Sequence, residues 1–208
     1  MKRLVPQSRK NSPEAYDEIY EKRASKGPDS YDMKRWGKLI RQFTHGDLID
    51  LGCLDSEICN LVYKRPDTTY TGVDMAAEAV YKQRKKFKGA QNVYFIPADI
   101  YELPFQDEAF DYAVLGEVIE HLDEPQLAIN EAVRVLRRGG TLAVSTPFNE
   151  AVEPGAVDNE RHLWSFDEND MHMLLDKFGT VKTTKIGSEY FPKYVYHFPT
   201  LFAYLTKK

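Results

Sequence analysis

The segment "GEVIEHL", residues 116–122, places two carboxylates and an imidazole (Glu117, Glu120 and His121) within five positions. A histidine titrates close to neutral pH, so His121, or His162 further along the chain, suits the task of taking a proton from a hydroxyl. The same groups can hold a cation instead. Glu117, Glu120, His121 and His162 together mix carboxylate and imidazole donors, a set that fits Mg²⁺, Mn²⁺ or Zn²⁺. A metal at that point would lower the pKa of a bound hydroxyl. The plainer alternative is that the histidines cap or pack, with "HLWSF" (162–166) serving as an anchor docked by Trp164 and Phe166. The sequence leaves both readings open.

A second group of acidic residues is spread along the chain but repeats one local setting. Asp50, Asp74, Asp99 and Glu117 each follow a short apolar run: "DLIDLG", "TYTGVD", "NVYFIPAD" and "FDYAVLGE". Runs of this length, rich in β-branched and aromatic residues, read as strands buried on both faces. Between them lie helical patterns: one through Tyr63, "MAAEAVYKQRKKFK" (75–88), and one over 125–137 with Leu127, Ile129, Ala132 and Leu136 on one face, stopped by Gly139-Gly140. "TLAVSTP" is a fifth strand, and Ser165-x-x-Glu168 reads as a capping box for a helix through Phe178. "TVKTTKIG" and "YVYHFPTLFAYLT" are the last two strands, with Pro199 suggesting a bulge or an edge.

Alternation of this kind predicts an α/β fold. It is a doubly wound, mostly parallel seven-stranded sheet with helices on both faces and an antiparallel last strand. Ligands of such sheets bind at the carboxyl ends of the strands, so the four carboxylates face the site. They do not suit phosphate, which wants N–H groups and cations, and no GxxxxGK[ST] loop is present. Carboxylates there suit ribose hydroxyls, an amino group or a cationic ligand.

The chain of 208 residues has the length of one domain, 1–208, with an N-terminal helical segment (1–45) acting as lid or substrate element and a Rossmann-like core (46–208). The segment 1–45 reads as two short helices broken at Gly27-Pro28 and carries eleven Lys or Arg against six Asp or Glu. The whole chain carries a net charge of −4, which disfavours nucleic acid as a partner. The basic run "KQRKKFK" (82–88) reads as a solvated helix face. The absence of a signal-like N-terminus and of any 18-residue apolar run, with only two cysteines, points to a reduced, cytoplasmic protein with no membrane span. A homodimer is compatible with all of this.

The motifs "IDLGC", "TGVD", "ADIYELPFQDEAFDYAVLGEVIEHLDEP" and "VLRRGGTLAVSTP" resemble those of class I S-adenosylmethionine (SAM)-dependent methyltransferases of the type-11 group, over roughly Asp47 to Phe178. The carboxylate-histidine segment is similar to that of ubiquinone-pathway O-methyltransferases and of small-RNA 3′-end 2′-O-methyltransferases. The resemblance implies a cofactor shell of Tyr20, Asp50, Gly52, Cys53, Asp74, Met75, Asp99, Ile100, Gly116 and Glu117. In it Asp74 takes the ribose hydroxyls and Asp99 the adenine amino group, Ile100 packs on the ring, and Gly52 admits the methionine end. Tyr16 and Tyr20 would form a lid, and Arg23 would meet the methionine carboxylate. The family's loop reads close to G-C-G-x-G, whereas Gly52-Cys53-Leu54-Asp55-Ser56 places Leu54 and Ser56 where glycines are expected. Positive φ at such residues costs on the order of 1 kcal/mol. The function implied is methyl transfer to a small-molecule acceptor, with oxygen favoured. The alternatives are a metal-assisted 2′-O-methyltransferase of nucleic-acid ends, or a non-catalytic SAM-binding scaffold protein.

Overall fold

The computed structural model describes residues 1–3, 12, 14–17, 30–55, 57–149, 162–186 and 199–208. Seven strands form one sheet: β2 (Gly46–Leu51), β3 (Thr68–Asp74), β4 (Val93–Pro97), β5 (Phe110–Gly116), β6 (Leu136–Pro147), β8 (Gly179–Ile186) and β9 (Thr200–Lys207), in the order β4-β3-β2-β5-β6-β9-β8. The first five pair in parallel, and β9 runs antiparallel between β6 and β8. A two-stranded ribbon joins β1 (Lys2–Arg3) to β7 (Trp164–Ser165).

Alternation within the central strands explains the layering. Ile49 and Leu51 of β2, with Ala113 and Leu115 of β5, face a core completed by helix α4 (Pro125–Val135) and helix α5 (Glu168–Leu175). Leu48, Tyr112 and Val114 face the opposite core, completed by α1 (Ser30–Leu39), α2 (Glu57–Val62) and α3 (Ala77–Lys86). A strand covered on both faces is apolar at most positions, which is why these segments read as near-continuous runs rather than alternating ones. Each fully buried leucine or isoleucine contributes roughly 1.5–3 kcal/mol by leaving water.

Three local expectations are corrected. The capping box of α5 is Asp167 with Asp170, each side chain accepting from the other's backbone N–H, and not Ser165 with Glu168. Ser165 is held extended by its pairing with Lys2. Helix α4 ends at Val135 rather than near Arg137, because Leu136 already pairs with Phe110 in the sheet; Leu127 is half exposed and lies off the buried face. Pro199 sits just before β9, which is an interior strand, so the edge belongs to β8. Among the described residues no helix is long and apolar enough to cross a membrane.

Helix α1 is pinned to the sheet by its last turn. The Tyr112 hydroxyl donates to the Leu39 carbonyl at 2.9 Å and the Tyr204 hydroxyl to the Lys38 carbonyl at 2.7 Å. These bonds satisfy carbonyls that a helix end leaves without partners. They also fix where Arg35 and Trp36 stand, one turn earlier.

Candidate functional site

A cavity of about 440 Å³ opens at the carboxyl ends of β3, β2 and β5, the three adjacent strands at the point where strand order reverses. Among the sequence-predicted cofactor residues, Asp50, Gly52, Cys53, Asp74, Met75, Asp99, Ile100, Gly116 and Glu117 all line it. Tyr20 and Arg23 lie outside the described residues, whereas Tyr16 is on the wall.

The loop after β2 closes in an orderly way despite its single glycine. Gly52 has φ +79, and a Cβ there would stand 2.6 Å from Val118 Cγ2, so only glycine fits. The N–H groups of Gly52 and Cys53 both donate to the Val73 carbonyl, at 2.8 and 3.0 Å. Leu54 does take a positive φ, +31, as its position requires. Its side chain packs with Tyr16 against Ala76 and Ala79, which offsets part of that strain. Ser56 lies outside the described residues.

Asp74 is held by two backbone donors, Leu54 N to Oδ2 and Ala76 N to Oδ1, each at 2.9 Å. Burial raises its pKa, and these hydrogen bonds oppose the rise. Asp50 is deeper still. Burial pushes its carboxyl up to about 7, although the Tyr70 hydroxyl donates to it at 2.6 Å and favours the ionised form. Asp50 therefore acts as a buried wall group. On the other side, Asp99 accepts from Tyr101 N. The loop beyond it is clamped by α4: Glu131 accepts from Leu103 N, while Arg134 donates to the carbonyls of Leu103 and Phe105.

Glu117 has φ +55, which turns the chain out of β5 and aims its carboxylate sideways. Oε1 accepts from the Ser145 hydroxyl at 2.8 Å and Oε2 from Arg35 Nη1 at 3.0 Å. This corrects the expected metal set. Among the described residues, the group whose ligand atoms lie within 4.8 Å of one another is Glu120, His121 and His162, while Glu117 is bonded to Arg35 and Ser145.

Glu120 is 1% exposed, with Oε2 accepting from Thr146 at 3.2 Å and Oε1 buried without a hydrogen-bond partner among the described residues. Burial drives its pKa well up, and Glu117 adds to the rise while His162 opposes it. The rings of His121 and His162 meet edge to face at 4.7 Å. Only His121 is on the cavity wall, where Tyr16 approaches it edge-on at 6.5 Å. Segment 162–165 is fastened by Leu163 N to the Glu120 carbonyl at 2.6 Å and by Trp164 Nε1 to the Leu122 carbonyl at 2.7 Å.

Sequence reasoning missed Arg35, Trp36, Glu57 and Tyr101 as wall residues. The helical spacing of Trp36, Leu39 and Ile40 marks a buried face and nothing more. Trp36 Nε1 donates to Glu57 Oε2, a contact between two helices that no local pattern announces.

Several known proteins similar to this chain are methyltransferases. The family profile described as "Methyltransferase domain", type 11, matches residues 49–144. A Mycobacterium tuberculosis protein described as "Probable S-adenosylmethionine-dependent methyltransferase" is 28% identical over 158 residues, 75% of this chain and 56% of that protein. An O-methyltransferase of Aspergillus nomiae is 28% identical over 107 residues, 50% of this chain and 48% of that one. The chain thus spans about half the length of these curated relatives. The crystal structure of a SAM-dependent methyltransferase from Aquifex aeolicus superposes with a TM-score of 0.67 at 16% identity, covering 95% of this chain and 99% of that one. That likeness is one of fold.

Proposed function

The chain belongs to the class I SAM-dependent methyltransferases of the type-11 group, and we propose that it binds SAM in this cavity and methylates an oxygen of a small-molecule acceptor. The observation that carries the reading is the row of Asp74, Gly52 and Glu117 at the ends of three neighbouring strands, all on one cavity wall. The residues fit the cofactor. Asp74, its orientation locked by two backbone donors, accepts the ribose hydroxyls. Asp99 accepts the adenine amino group and Ile100 packs on the ring. Glu117 lies at the amino-acid end.

When bound, the cofactor supplies a methyl group already activated on a sulfonium. The chain's own contribution is proximity, alignment and removal of the acceptor proton. His121, on the cavity wall, takes that proton, and His162 behind it holds its ring. The donor set also fits a divalent ion. Glu120, His121 and His162 would hold it, and the buried Oε1 of Glu120, which has no hydrogen-bond partner among the described residues, is the atom a cation would satisfy. Two imidazoles with one carboxylate favour Mn²⁺ or Zn²⁺ over Mg²⁺, and such an ion would acidify an acceptor hydroxyl. Segment 1–45 and the residues around 148–164, parts of which lie outside the described residues, are the proposed source of acceptor recognition.

The test is calorimetric titration with S-adenosylhomocysteine, first in EDTA and then with Mn²⁺ or Zn²⁺. Micromolar binding abolished by Asp74→Ala is the expected result; its absence in both buffers overturns the reading in favour of a non-catalytic scaffold. Methyl transfer to a panel of hydroxylated acceptors then checks the oxygen, and transfer only to amines would overturn that part.

A further inference from the structure

Among the described residues, β4 is the outer strand on its side of the sheet, paired with β3 alone. Tyr70 N donates to the Asn92 carbonyl and Ala98 N to the Asp74 carbonyl, which sets the phase of the parallel ladder between them. Tyr94 and Ile96 therefore bond to β3, while Val93 and Phe95 turn their backbone groups outward. Part of that edge is blocked. Arg84 Nε donates to the Phe95 carbonyl at 2.8 Å, and Pro97 has no N–H to offer. Both backbone groups of Val93 and the N–H of Phe95 stay open. That is enough to fix the register of one extended segment and too little to seed a long sheet.

Arg84 also marks which flank of α3 leans over this edge. Tyr81, Arg84 and Lys85 lie there at i, i+3 and i+4, and Lys88 follows just past the last turn, all four exposed. Among the described residues no carboxylate pairs with Arg84, Lys85 or Lys88, in a chain whose net charge is −4. Phe95 is buried beneath α3, so Tyr94 points to the opposite face of the strand. There it is 52% exposed, with its hydroxyl bonded to the Gln91 carbonyl at 3.2 Å.

We propose that this edge is a docking site for an extended, acidic segment of another protein, which adds a strand beside β4. Successive side chains of such a segment face opposite sides, so every second one meets α3 and the others meet Tyr94. Carboxylates at alternate positions would lie against Lys85 and Lys88, with apolar residues between them on the tyrosine ring. A peptide strand is favoured over nucleic acid because it supplies, in regular register, both the acceptor and the donor that Val93 lacks. A second copy of the chain is disfavoured. Two-fold pairing of β4 with itself sets α3 beside its own copy on the same face, cation against cation. The site is separate from the cofactor cavity and independent of the function proposed there.

The test is fluorescence anisotropy on the full chain in low salt, with a labelled, end-capped peptide that alternates glutamate and valine, and amide hydrogen exchange followed alongside. The peptide is expected to bind, to slow exchange at Val93 and Phe95, and to leave as salt is raised. Lys85→Glu combined with Lys88→Glu should weaken it by about tenfold. Val93→Pro removes an outward N–H where an edge strand tolerates proline, and should weaken it by about threefold or more. Urea midpoints report that the variants are folded; if Val93→Pro is not, exchange on the wild type decides the same point. A control peptide with the same glutamates interrupted by glycine and proline should bind poorly. No binding of the alternating peptide, equal binding of the control, or protection that leaves out Val93 and Phe95 overturns the added strand. Tighter binding of a single-stranded oligonucleotide or of anionic vesicles than of the peptide overturns it as well.

Discussion

Trp36 occupies the space that a side chain at Gly116 would need: a Cβ on Gly116 would lie 2.5 Å from Cζ3 of the indole and 3.0 Å from Leu39 Cδ2. The glycine at the end of β5 is what lets α1 sit on the sheet and bring Arg35 to the cavity. Gly116→Ala should cost about 1–3 kcal/mol in urea unfolding, the usual penalty for overpacking. It should also shift Trp36 fluorescence toward that of an exposed indole and weaken S-adenosylhomocysteine. An unshifted emission would mean that α1 can accommodate the methyl group.

Asp50 makes a pH-dependent demand on the fold. Its folded pKa, near 7, lies above the ordinary aspartate value of 3.8. Between those two values the folded chain keeps a proton that the unfolded chain has released. Stability is therefore lost as pH rises through that window, and the cost is absent below it. Asp50→Asn should remove this slope, gaining on the wild type by roughly a few kcal/mol at pH 8 compared with pH 4. Urea midpoints at the two pH values check it, and parallel wild-type and variant profiles would contradict it.

Leu54 carries opposing effects that two substitutions separate. Leu54→Ala loses the packing on Ala76 and Ala79 but keeps the positive φ, and should destabilise by about 1–2 kcal/mol. Leu54→Gly loses the same packing and relieves the strain, so it should be the milder change by about 0.5–1 kcal/mol. The reverse order in thermal melts would mean that φ +31 is cheap at this position.

Trp164 acts on the histidine cluster from outside it. Removing its Nε1–H with Trp164→Phe should cost about 1 kcal/mol of stability. It should also weaken Zn²⁺ or Mn²⁺ by about tenfold, because His162 loses the support that aims it. Glu120→Gln should abolish the same metal binding. Metal affinity unchanged in both variants would overturn the proposed metal site and leave His121 as the proposed base.

The fold and the cavity wall were readable because one physical condition wrote both. Strands buried on two faces are largely apolar, so a polar residue closing each run marks the carboxyl end, where Asp74, Asp99 and Glu117 stand. Arg35 was not readable. Its partner is 82 residues away, and the stripe of Trp36, Leu39 and Ile40 in its helix says only that one face is buried. The start of α5 is misread from Ser165 with Glu168. A long-range pairing of Ser165 with Lys2 holds that serine in a strand, and Asp167 caps the helix instead. Glu117 looked like a metal ligand by spacing, and a cation from another helix claimed it first.

The place of β9 bears on how the protein is made. Its residues 200–207 fill the gap between β6 and β8, pairing along nearly their whole length with both. Until they emerge during synthesis, β6 is an open edge with Leu142, Ala143 and Val144 on its two faces and no partner on that side. Such an edge invites pairing with a second nascent chain. The time needed to add β9 is therefore an interval in which this fold is open to mispairing.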